Sequence, residues 1–94
     1  MIASVSASPL RALIVDDEES VRNFVNRVLV DAGYQTILAS SGPVAEAVAK
    51  SEGPFDVLVT DLMMPEMTGD ELVRRLRQSE PNLKVLYLRL RAGP

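Results

Sequence analysis

Leu10-Arg11-Ala12-Leu13-Ile14-Val15-Asp16-Asp17-Glu18-Glu19 is the stretch on which the fold turns. A nearly unbroken apolar run that ends abruptly in acids suits a strand buried on both faces that reaches the surface at its C-terminal end. Downstream, Val21, Phe24, Val25, Val28, Leu29 and Ala32 fall at i, i+3, i+4, i+7, i+8 and i+11, which predicts a helix with one apolar stripe stopping at Gly33. Tyr34 to Ala39 reads as a second strand. Ser41-Gly42-Pro43 then supplies a cap and an early-turn proline for a short helix over Val44 to Lys50. Gly53-Pro54 breaks the chain, and Phe55 to Thr60 is a second apolar, β-branched run that ends, like the first, in an aspartate, Asp61. Pro65 excludes regular structure across Met63 to Met67, while Thr68 with Glu71 three residues later forms a capping-box pattern that starts a third helix, buried through Leu72, Val73 and Leu76. Its exposed face pairs Asp70 with Arg74 and Glu71 with Arg75 at i,i+4, an ordinary solvated arrangement. Leu83 to Leu88 is the fourth apolar run.

Strands alternating with helices at short spacing imply right-handed crossovers and a parallel sheet covered on both faces, an α/β doubly wound architecture. The chain of 94 residues allows one compact domain. Residues 1–9 are expected to be a flexible tail, 10–88 the domain and 89–94 a separate C-terminal tail. With 47% hydrophobic and 4% aromatic residues, the core must be aliphatic. A net charge of −3 argues against a nucleic-acid surface on this chain. Met1 to Pro9 has neither the basic start nor the apolar run of a signal peptide, and no apolar run approaches the roughly 20 residues of a membrane-spanning helix. The expectation is a cytoplasmic protein.

The chain has no cysteine and no histidine, so its chemistry must run on carboxylates, hydroxyls and backbone. Ligands of such sheets bind beyond the carboxyl ends of the strands, where Asp16, Asp17 and Asp61 stand. If the first and third strands are neighbours, in the order 2-1-3-4, these three carboxylates meet in one pocket. Acids held so close raise one another's pKa unless a cation joins them, and a donor set of oxygens alone favours Mg²⁺. A carboxylate there can also act as a nucleophile toward phosphorus. The bland alternative is that Asp16 and Asp17 cap the first helix. Met63, Met64 and Met67 read as gap-fillers, and Arg11 and Lys84 as solvated strand-end residues.

Taken together, Ile14-Val15-Asp16-Asp17-Glu18, Val59-Thr60-Asp61-Leu62-Met63-Met64-Pro65 and Met67-Thr68-Gly69 resemble a bacterial two-component response-regulator receiver domain, over about residues 10 to 88. The resemblance implies the flavodoxin-like receiver fold, with Asp61 as phosphoacceptor. It further implies Asp17 as a direct Mg²⁺ ligand, Asp16 acting through water and the backbone carbonyl of Met63 completing the protein ligands. Pro65, Thr68 and Gly69 form the loop and helix-start motif. The implied partner is a histidine kinase or phosphotransfer protein that donates from phosphohistidine.

Measured against that family, this sequence has Arg89 where a Thr or Ser follows the fourth strand, and it stops before a fifth strand, its Lys and the last helices. The expectations are weakened phosphorylation, an apolar flank left bare on the first helix, and self-association through the exposed edge of the fourth strand. A phosphorylatable switch leads, ahead of a non-phosphorylated interaction or dimerisation module. A Mg²⁺-dependent phosphatase fits worst, because its Asp-x-Asp motif is lacking, so the chain is not expected to be an enzyme.

Overall fold

The structure is a computed structural model that describes residues 9–88. The tail expected over 1–9, apart from Pro9, and residues 89–94 with Arg89 lie outside the described residues. The elements run β1 (Arg11–Val15), α1 (Glu19–Asp31), β2 (Gln35–Ala39), α2 (Gly42–Glu52), β3 (Val57–Asp61), α3 (Gly69–Leu76) and β4 (Lys84–Leu88). All strand pairs are parallel, as the alternation of elements implied, and the sheet order is β2-β1-β3-β4, which meets the condition that the first and third strands be neighbours.

Helix boundaries follow from local chemistry. α1 ends where Gly33 takes a φ of +97°, a backbone state that costs glycine nothing. Ser41 caps α2, its Oγ accepting from Val44 N at 3.2 Å, with a proline in the first turn. Thr68 caps α3 by accepting from Glu71 N at 3.2 Å. The expected capping box is realised only on this side, because the Glu71 carboxylate turns instead to Arg74 and Arg75.

β1 is the centre of the molecule, with Ala12 to Val15 wholly buried. Alternation along the strand sends Leu13 and Val15 into a larger core beneath α2 and α3, together with Leu58, Leu72 and Leu76. Ile14 enters a smaller core with Val59 and Val25 beneath α1. The apolar stripe of α1 therefore divides. Val21, Val25 and Leu29 pack on the sheet, whereas Phe24 is 62% exposed and Val28 is exposed beside it. On the same face of the sheet Leu86, in register with Val59, is 58% exposed.

Two surface expectations are corrected. Arg11 is not merely solvated: its Nη1 donates to the carbonyls of Glu52 (2.6 Å) and Pro54 (2.7 Å), and its guanidinium lies 4.7 Å from the centre of the Phe55 ring. A planar fork with several donors can tie down the end of α2 and still stack on an aromatic face. Asp70 does not pair with Arg74, because the Tyr87 hydroxyl on β4 donates to its Oδ1 at 2.7 Å. Glu71–Arg75 forms as expected.

The unequal cores predict unequal costs. Leu72→Ala, in the larger core, is expected to lower unfolding free energy by about 2–5 kcal/mol, and Phe24→Ala by less than about 1 kcal/mol. Urea denaturation of both variants checks this, and comparable losses would contradict the assignment.

Candidate functional site

Asp16 follows the last residue of β1 and Asp61 ends β3, and in-register pairing of Val15 with Thr60 brings the two strand ends side by side. Asp16, Asp17 and Asp61 each place a carboxylate oxygen within 4.8 Å of the others. No comparable group of three His, Cys, Asp or Glu occurs elsewhere among the described residues. The donors are hard oxygens, and three like charges at this separation call for a cation, so the residues fit a hard divalent ion such as Mg²⁺.

Asp16 is the constrained member, 4% exposed. Its N–H donates to Ala39 O (3.3 Å), its Oδ1 accepts from Glu18 N (2.8 Å), and its carbonyl accepts from Nη1 of Arg22 (2.8 Å). The Oδ1 contact spans two residues, an Asx turn that shapes the loop. The N-cap of α1 is Glu18, which makes no side-chain cap bond, so neither Asp16 nor Asp17 caps this helix and that bland reading fails. Burial raises the Asp16 carboxyl above the ordinary carboxylate range, the negative charges of Asp61, Asp17 and Glu18 push the same way, and the Glu18 N–H opposes them. Asp17 is exposed at the rim and Asp61 is half-buried.

The segment after β3 is built around Asp61. Gly69 N donates to Leu62 O (2.8 Å), and a Cβ on Gly69 would stand 2.4 Å from the Asp61 carbonyl oxygen, so only glycine lets α3 begin this close to Asp61. Thr60 is fully buried and its hydroxyl donates to the same carbonyl at 2.9 Å. Met67 N donates to Pro65 O (2.8 Å) around Glu66, whose φ of +73° is strained for a side chain with a Cβ. Met64 and Met67 are buried in the larger core, Met67 directly against Gly42 at the start of α2, as gap-filling methionines should be. Met63 is 71% exposed two residues beyond Asp61.

Sequence reasoning did not single out Arg22 or Glu66. Arg22 lies six residues beyond the carbonyl it grips, a separation that means nothing until the loop is folded. Glu66, a non-glycine residue in a turn, carries no compositional signal. A shallow recess of about 560 Å³ between Tyr34, Phe55, Glu80 and Lys84 opens at the opposite end of the sheet and contains none of the three aspartates. We place the chemistry at the acids, where the charge is concentrated, and not in this recess.

The raised Asp16 value has a consequence for stability. A carboxyl whose folded value lies above its unfolded one makes the folded state relatively most stable below the unfolded value, and that advantage is lost as pH rises through the folded value. In metal-free buffer, Asp16→Asn is therefore expected to melt above the wild type at pH 7. The difference should shrink as pH falls toward about 4, the ordinary aspartate range. Thermal melts in a chelator across this interval provide the measurement.

Residues 12–92, a span containing all three aspartates, match the family described as response regulator receiver domain. The transcriptional regulatory protein TrcR of Mycobacterium tuberculosis is 39% identical over 90 residues, 96% of this chain but 35% of TrcR, so the chain spans about a third of that relative. Among solved structures, the chemotaxis response regulator CheY4 of Vibrio cholerae superposes with a TM-score of 0.81 at 36% identity, over 93% of this chain and 73% of that one. The response regulator TrrA of Thermotoga maritima, solved in complex with Mg²⁺ and BeF, superposes with a TM-score of 0.75 at 30% identity, over 81% of this chain and 65% of that one. With its sheet order and its aspartates at the strand ends, the chain belongs to the response regulator receiver domain family of two-component signalling.

Proposed function

We propose that this chain is the phosphoacceptor of a two-component phosphorelay, taking a phosphoryl group onto Asp61 from the phosphohistidine of a histidine kinase or phosphotransfer protein. The observation that carries the reading is the convergence of the Asp16, Asp17 and Asp61 carboxylates at the ends of β1 and β3. The Mg²⁺-bound TrrA structure supports it, because that protein shares this fold. Asp16, Asp17, Asp61 and the carbonyl of Met63 would hold Mg²⁺, which supplies charge neutralisation for the incoming group.

Within the chain, a carboxylate oxygen of Asp61 forms the new bond to phosphorus as the phosphorus–nitrogen bond of the donor breaks and the imidazole departs. The backbone on either side of Asp61 is held by Thr60 and Gly69, so the nucleophile is oriented before the donor arrives. Phosphorylation adds charge at the start of the Leu62–Thr68 loop and shifts the surface presented to a partner. The role is that of a switch and not of an enzyme that turns over substrate, in a cytoplasmic setting without nucleic acid bound by these residues. Among the described residues no helix is long and apolar enough to cross a membrane. With Arg89 where the family carries a hydroxyl side chain after the fourth strand, phosphorylation is weaker than in a receiver that has that hydroxyl.

Incubation with acetyl phosphate and Mg²⁺ followed by intact mass measurement is expected to give a phosphate-sized gain that disappears in Asp61→Asn. A wild type that gains no mass would favour the alternative, a receiver-derived interaction or dimerisation module. Self-association is favoured by one separate observation. Among the described residues β4 is the outer strand beside β3, and its Leu86 is exposed on the side where Phe24 is also bare. Sedimentation velocity on the micromolar scale, where such surfaces associate, is expected to show species larger than a monomer. A single monomeric boundary would rule this out.

A further inference from the structure

We propose that Arg22 is a positioning residue for the acidic site, an inference that rests on reading the three aspartates as a Mg²⁺ and phosphoryl site. Arg22 lies in the first turn of α1, which begins at Glu19. Its backbone N–H is used by the helix, donating to Glu18 O at 3.0 Å. Its side chain instead turns back past the helix start and donates from Nη1 to the main-chain carbonyl of Asp16 at 2.8 Å, in a part-buried contact.

That carbonyl lies one residue beyond the last paired residue of β1, Val15 opposite Ala39. It also belongs to the peptide that joins Asp16 to Asp17, so whatever fixes its direction fixes the direction in which the chain presents Asp17. The remaining handles on Asp16 are its N–H, donated to Ala39 O, and its Oδ1, which accepts from Glu18 N. Those two contacts hold the preceding peptide and the side chain, so of the three it is the Arg22 contact that holds the Asp16–Asp17 peptide itself. Asp17 is exposed, and the backbone on its N-terminal side is what this grip sets.

Two effects of Arg22 on a cation oppose each other. Its positive charge repels a divalent ion, so removing it would tighten binding by up to about fivefold if charge alone mattered, less at physiological salt. Its grip on the loop preorganises the ligands, and removing a residue that orients metal ligands typically costs about 10–100-fold in affinity. The two have opposite signs, so the direction of the change identifies the role.

The test is a Mg²⁺ titration of the full chain, followed by calorimetry and by the amide shifts of Asp16 and Asp17, for wild type, Arg22→Gln and Arg22→Lys. Arg22→Gln is expected to raise the Mg²⁺ Kd by about tenfold or more, while still giving a cooperative unfolding transition in chelator. Arg22→Lys keeps the charge but offers a single donor in place of the fork, and its Kd is expected between the two. If Arg22→Gln does not fold, a Kd for Arg22→Lys above that of wild type carries the same support and an equal one overturns the proposal. Tighter or unchanged binding by a folded Arg22→Gln, beside a wild type that binds, overturns the positioning role and leaves the reading of Asp61 standing. A wild type that binds no Mg²⁺ overturns both.

Discussion

Parallel pairing of β1 with β3, Val15 beside Thr60, ties the stability of this protein to its electrostatics. The same register that closes the centre of the sheet over Leu13, Ile14, Leu58 and Val59 delivers Asp16 and Asp61 to adjacent strand ends. Burial of the apolar strands is worth about 25 cal/mol per Å² of surface removed from water, and it holds together carboxylates that would otherwise separate. Asp16 bears the cost as a raised pKa caused first by burial and then by its neighbours. The site is thus a local destabilisation carried by the core beneath it, which is why a cation has a favourable place to go.

The loop after β3 shows how such a site is kept in shape without regular structure. Met64 and Met67 drop into the core, Gly42 leaves room for Met67, and Gly69 allows α3 to start against the Asp61 carbonyl. These anchors over-determine the path between them, so Glu66 can be held at positive φ, a state worth of order 1–3 kcal/mol of strain. Met63 stays exposed at the rim because the residues around it are fixed elsewhere. On the other side of the pocket, Arg22 and the Asx turn of Asp16 do the same for the β1–α1 loop.

The two faces of the sheet are finished to different degrees. Beneath α2 and α3 the core is continuous and closed by Phe55, Leu76 and Leu83, and Arg11 and Tyr87 tie its margins to the end of α2 and the start of α3. Beneath α1 the buried cluster is smaller, and Phe24, Val28 and Leu86 remain at the surface. Among the described residues this face is where added contacts would stabilise most, because the apolar area is already aligned on one side of the sheet.

Much of this was legible in the residues themselves. Unbroken apolar runs ending in acids marked β1 and β3 as strands buried on both faces, since polar residues cannot be afforded there. Ser41 and Thr68 marked helix starts because an unpaired N–H needs an acceptor, and Gly33 marked a stop. Alternation and handedness implied a parallel sheet, but the order 2-1-3-4 was only a condition in the sequence, and the pairing of β1 with β3 is what brings Asp16, Asp17 and Asp61 together. Tertiary structure alone decided which half of the α1 stripe is buried, that Asp70 prefers Tyr87 to Arg74, that Arg11 grips the end of α2, and that Arg22 grips the Asp16 carbonyl. The division has a physical reason. Periodicity and capping are set by neighbours within about a turn of chain, whereas long flexible side chains choose among partners that exist only once the strands and helices have been brought together.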